Sequence, residues 1–227
     1  MDHLDIDRTP KTTLQSTWVY PYRLTYMAYS DFSLSRVREM FGLVLEEPKS
    51  LFLDILPTPA SDYLLTALDE NLALATAINA EKARSELVIA PVLLEVRRQL
   101  NYEIGFFSGT EFNIDPTQGS TGNCDYILSA IKDSYEVRSP VLMLVEAKNE
   151  NIKAGLGQCA AEMIAAQLVN TKADLVSRSV YGCVTTRTDW KFIRLCDRRL
   201  EIDQRDYFIN EVSSILSILL LPFQQLQ

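Results

Sequence analysis

An α/β fold, with a mixed β-sheet flanked by helices, is what the sequence predicts, and three observations carry that prediction. Two long stretches, "DYLLTALDENLALATAINAEKARSELVIAPVLLEVRRQL" and "AGLGQCAAEMIAAQLVN", space their apolar residues as helices do. Between and after them, "YEIGFFSGTEFNI", "CDYILSA", "PVLMLVEA", "SVYGCVTT" and "WKFIRL" change to strand-like runs. No internal repeat or low-complexity tract interrupts the alternation, so the elements combine as helix, three strands, helix and two strands around one core.

Taken in order, residues 1–16 read as a loose lead-in. "STWVYPYRLTYMAYS" has strand-like aromatics broken by Pro21, and "SLSRVREMFGLVLEE" has the apolar spacing of a short amphipathic helix. "LPTPASD" then delivers a helix start at Ser61 or Asp62, residue types whose side chains accept the free N–H groups of a first turn. One or two helices follow, with Pro91 either bending the second or setting its first turn. "DPTQGSTGN" and "KDSYEVRSP" are turn-rich and separate three strands expected to form an antiparallel meander. The next helix crosses to a strand expected to run parallel to the third. The chain closes on a helix containing "EVSSILSILLLPF". At 227 residues this is the length of one domain with a real core: an N-terminal extension over 1–60, a core over 61–195 and a C-terminal helical segment over 196–227.

Composition excludes several classes of chemistry. The single histidine is His3, in the lead-in, so Ser-His-Asp and Cys-His mechanisms and histidine-rich zinc sites lack their central residue. The four cysteines form no CxxC pair and read as reduced, mostly buried thiols. The acidic, polar start "MDHLDIDRTP" is no signal peptide, and "ILSILLLPF" is too short to span a bilayer, so a cytoplasmic protein with no membrane partner is expected. "GLG" lacks the GK[ST] of a nucleotide-binding loop. A net charge of −8 argues against general nucleic-acid affinity but leaves room for a local basic surface at "RTDWKFIRLCDRR". Asp189 and Asp197 among those cations equally suit a solvated hairpin.

The chemistry concentrates in "VLMLVEAKNE". Residues two apart on a strand share a face, so Glu146 and Lys148 project together where an apolar strand ends. Asp125, in "GNCDYIL", begins the preceding strand. If these strands pair antiparallel, the start of one lies beside the end of the other, and Asp125 and Glu146 converge. Two carboxylates forced together repel unless a cation neutralises them. A hard divalent ion such as Mg²⁺ fits, with the Ala147 carbonyl as a further ligand and Lys148 orienting a water beside it. The plainer alternative is a solvated strand end with a weak surface ion pair, which leaves Asp125 unexplained. Trp190 and Phe192 read as strand core rather than as a base-stacking platform.

The set "GNCDYIL", some twenty residues and then "LVEAK" resembles the PD-(D/E)XK, or restriction-endonuclease-like, nuclease superfamily, whose pattern is an Asp on one strand, Glu-x-Lys on the next and a helix after it. The resemblance covers roughly residues 81–195. It implies a restriction-endonuclease-like α-β-β-β-α-β-β core, with Asp125 and Glu146 as metal ligands and Lys148 as the catalytic lysine. Glu86, in "SELVIAPVLLEV", matches the acidic residue many members place near the metal, and Gln158, in "GLGQCAAEM", the glutamine some carry beside the site. Gln158 equally suits a hydrogen bond to Glu162 on an exposed face. Cys124 stands where the family's namesake proline would be. The implied activity is Mg²⁺- or Mn²⁺-dependent hydrolysis of DNA. The alternative is a catalytically inactive relative serving as an interaction module, with a partner protein or with a homodimer contact through the apolar C-terminal helix.

Overall fold

The computed structural model describes residues 27–114, 120–132, 135–174 and 179–225. The expected lead-in, with His3 and most of the strand-like aromatic run around Pro21, lies outside the described residues.

Helix α1 (Leu34–Phe41) starts where the Ser33 hydroxyl accepts the Arg36 N–H at 3.3 Å. A short strand β1 (Val44–Glu46) follows. Ser61 caps α2 (Asp62–Ile78) by accepting the Leu64 N–H, so the helix begins where the sequence places it. The next helix is continuous but not uniform. It opens as α3 (Glu81–Arg84), passes through one π-helical stretch (Ser85–Ile89) and continues as α4 (Ala90–Gln99). Pro91 sits in the first turn of α4 and has no N–H for the Leu87 carbonyl one turn back. Asn71 Nδ2 of α2 donates to that carbonyl instead, at 3.1 Å.

The sheet comprises β1 with β2 (Gly105–Glu111), β3 (Asn123–Ser129), β4 (Val141–Ala147), β5 (Val180–Thr185), β6 (Asp189–Cys196), β7 (Arg199–Ile202) and β8 (Tyr207–Phe208). Its order is β1-β7-β6-β5-β4-β3-β2, with β8 beside β6. β2, β3 and β4 form the expected antiparallel meander. Helix α5 (Ile152–Lys172) then crosses to β5, which runs parallel to β4. Three of the eight strands, β1, β7 and β8, go beyond the five read from the sequence. They are three, four and two residues long, too short for alternation to register.

Helices cover both faces. On one side α2, the π-helical stretch, α4 and α6 (Val212–Gln224) enclose a core that includes Trp190, Phe192 and Tyr207, so both aromatics of "WKF" are core. Ser217, which breaks the apolar run of α6, donates to the Leu56 carbonyl at 2.8 Å and accepts the Thr58 N–H at 2.6 Å, tying the buried helix to its own chain. On the other side lies α5, almost wholly buried between the sheet and the segment carrying α1. The thiols of Cys124, Cys159, Cys183 and Cys196 are free. Among the described residues no helix is long and apolar enough to cross a membrane.

Close approach on that second face depends on Gly157. A Cβ there would overlap backbone atoms of Phe32, Ser33 and Leu34. Alanine gains about 1 kcal/mol in helix propensity, yet backbone cannot step aside as a flexible side chain can. Gly157→Ala is therefore expected to lower stability by about 1–3 kcal/mol, read as a reduced midpoint in thermal or urea unfolding. An unchanged midpoint would contradict this packing.

Candidate active site

The register of β3 and β4 sets Tyr126 opposite Val145. One step further along the same antiparallel pair, Asp125 faces Glu146, at the end of the sheet where β4 and β5 both finish. Asp125 Oδ2 accepts the Ala147 N–H at 2.8 Å. The Lys148 N–H donates to the Thr185 carbonyl at 2.8 Å, extending the parallel pairing one residue past β4. That bond holds Lys148 beside Glu146, with Nζ 2.6 Å from Oε1. Gly155 of α5 leaves room for the lysine stem, since a Cβ there would crowd its Cγ and Cε.

Helix α5 completes the cluster. Its N-cap Asn151, whose side chain accepts the Ala154 N–H at 3.3 Å, starts the helix soon after β4 and so brings its first turns over the strand end. Lys148 Nζ donates to Gln158 Oε1 at 3.0 Å, and Gln158 Nε2 donates to Glu162 Oε1 at 3.1 Å. The bond between Gln158 and Glu162 is the one the i,i+4 spacing suggested, but the face is buried, which corrects the exposed setting expected for it. Glu162 is fully buried and Glu146 is 2% exposed. Oε2 of each is buried and meets no N–H or O–H donor among the described residues, and a proton on either carboxyl bridges the two.

These carboxylates hold protons unusually tightly. Burial, and then the Asp125 charge, push Glu146 up to about 7 against the opposing pull of Lys148. Glu162 is pushed well above the carboxylate range by burial and by the Glu146 charge. Asp125 is raised by burial, less so because the Ala147 N–H and Lys148 favour its ionised form. For Lys148 burial works to lower the value, but the hydrogen bond and charge of Glu146 and the charge of Asp125 outweigh it, and the group is raised. The cluster is short of positive charge: three carboxyls meet one ammonium.

Glu86 takes a different place from the other predicted residues. It lies on the π-helical stretch with its side chain 63% exposed and 3.7 Å from Lys82 Nζ. It lines a pocket of about 250 Å³ whose other walls include Glu81, Asp125 and Ala147, so it faces the same cleft as Asp125 from across the opening. The Tyr126 hydroxyl, on β3, donates to the Ser85 carbonyl at 3.0 Å and fixes that wall. Single π-helical turns often occur at functional sites.

No group of three or more His, Cys, Asp or Glu side chains is arranged to enclose a metal among the described residues. The oxygen donors available to a hard cation are the Asp125 and Glu146 carboxylates and the Ala147 carbonyl, with water completing the set. The Glu146 Oε2 opposite Asp125, which meets no such donor, fits such an ion.

Two features escaped the sequence reading. The burial of Glu162 inside the site is one; beyond its spacing from Gln158, its signal is a charge set among apolar residues in "AAEMIAA". The other is the fate of three cations in "RTDWKFIRLCDRR": Lys191 pairs with Asp206, Arg194 with Glu201 and Arg199 with Glu46. Compared with protein-family models and with curated proteins, the chain matches none, and its function is to be read from the chemistry of this site.

Proposed function

We propose that this chain is a metal-dependent nuclease of the restriction-endonuclease-like, PD-(D/E)XK kind, hydrolysing phosphodiester bonds in DNA. The observation that carries the reading is Asp125 opposite Glu146, with Lys148 Nζ 2.6 Å from the glutamate, at the shared end of two parallel strands. The order of helix, antiparallel meander, crossover helix and parallel strand supports it.

In this mechanism Asp125, Glu146 and the Ala147 carbonyl would hold Mg²⁺ or Mn²⁺, and Glu86 lines the cleft onto which Asp125 and Ala147 open. The cation would supply Lewis-acid chemistry, offsetting charge that develops on the phosphate. Glu146 keeps Lys148 protonated at neutral pH, so the lysine orients the attacking water and stabilises the phosphate oxygens rather than accepting a proton. Gln158, its amide fixed by Glu162, holds the ammonium in place. Burial strengthens each of these interactions.

The second reading is a non-catalytic module on the same fold, favoured by the net charge of −8. Incubation of linear, circular, single-stranded and branched DNA with Mg²⁺ or Mn²⁺ separates the two. Cutting by the wild type and none by Asp125→Asn is the expected result. Intact DNA in every lane, from folded wild-type protein, favours the module.

A further inference from the structure

We infer that Arg187 is a phosphate-binding residue, and that its phosphate belongs to the nucleic-acid backbone beside the reacting bond; the second half rests on the nuclease reading above. Of the five cations in "RTDWKFIRLCDRR", the other four are engaged. Lys191 Nζ lies 2.5 Å from Asp206 Oδ1 and donates to the carbonyls of Asp203, Gln204 and Arg205. Arg194 donates to Glu201 at 2.6 Å, Arg199 lies 3.6 Å from Glu46, and Arg198 has an interaction of its own. Arg187 differs: its Nε and Nη1 are buried and have no hydrogen-bond partner among the described residues. The neighbouring carboxylate, Asp189, accepts instead from the hydroxyls of Thr186 at 3.1 Å and Thr188 at 2.5 Å. Buried guanidinium donors without an acceptor are costly, so the side chain gains by turning outward to an anion, and its planar fork then matches the oxygens of a phosphate.

The backbone makes the same point independently. Arg187 and Thr188 are the two-residue loop between β5 and β6, closed by the Thr186 N–H donating to the Asp189 carbonyl at 3.0 Å. Arg187 has φ 97°, at the first central position of a tight hairpin, where a positive φ favours glycine. Trp190 Nε1 donates to the Arg187 carbonyl at 3.1 Å, and the Arg187 N–H donates to Thr185 Oγ1 at 3.2 Å, so the turn is pinned in this form. A long side chain is thus kept where it strains the backbone, as happens at functional positions. The location fits a substrate contact. Thr185, whose carbonyl accepts the Lys148 N–H, is only two residues before Arg187.

Arg187→Gly tests the assignment without endangering the fold, because glycine relaxes the turn. Melting is followed in EDTA with and without inorganic phosphate. Binding of a labelled DNA duplex is then measured with Ca²⁺ across a salt series. Phosphate is expected to raise the melting temperature of the wild type and not of Arg187→Gly, although the variant alone melts at or above the wild type. The variant should bind the duplex about tenfold more weakly, with the slope of log K against log salt reduced by about one. Phosphate that protects both proteins equally, or neither, would overturn the anion site. An Arg187-dependent phosphate effect, with no DNA bound by the wild type, would overturn the nucleic-acid half and the nuclease reading while leaving the anion site in place.

Discussion

Glu146→Gln is expected to abolish metal-dependent DNA cleavage, by at least about a thousandfold, while making the metal-free protein more stable. The loss follows from removing a charged oxygen donor and the partner that keeps Lys148 in place. The gain follows from burial. A carboxylate that is 2% exposed, faces Asp125 and finds no donor for Oε2 is an uncomfortable charge, and a neutral amide of the same shape removes it. At pH 8 in EDTA the variant should be more stable by about 1–3 kcal/mol, measured by urea unfolding. Lys148→Met should also lower cleavage, by at least about a hundredfold, without that gain in stability. Wild-type cleavage rates in either variant would remove these residues from the chemistry.

The second large effect is a fall in stability with rising pH in the absence of metal. A carboxyl with a folded-state pKa of about 7 and an unfolded value of 4.5 keeps its proton in the folded protein after the unfolded chain has lost it. The contribution is therefore full below pH 4.5, declines from there to about pH 7 and is gone above it. For Glu146 alone the decline is about 3 kcal/mol. Asp125 and Glu162 are shifted in the same direction and steepen it. Urea midpoints in EDTA should fall across this window, Glu162→Gln should flatten the fall, and Mn²⁺ should restore stability at pH 8. Midpoints that climb from pH 5 to pH 8 without metal would show that the cluster is not under this strain.

How much of this was legible in the sequence depends on the range of the interaction involved. Ser61 and the apolar spacing of α2 and α5 act within a turn or two, and these helices begin where those residues place them, whereas Pro91 lies inside a helix that opens ten residues earlier. Asp125 and Glu146 are far apart in sequence, yet strand pairing is so regular that antiparallel order alone brought them together. The π-helical stretch was not legible, because it involves a carbonyl freed by Pro91 and an Asn71 side chain from another helix. Burial of Glu162 depends on which face of α5 meets β4, and a helix apolar on nearly all sides does not announce that face. Arg187 read only as one cation among five, in either a basic surface or a solvated hairpin, since the partners that occupy its neighbours, Glu46, Glu201 and Asp206, come from other parts of the chain.

The most direct measurement is calorimetric titration of metal-free protein with Mn²⁺, repeated with Asp125→Asn and Glu146→Gln. Binding by the wild type that both substitutions remove is the predicted result, because these two carboxylates are the charged donors assigned to the ion. No binding by folded wild type, or equal binding by all three proteins, would contradict a metal centre between β3 and β4.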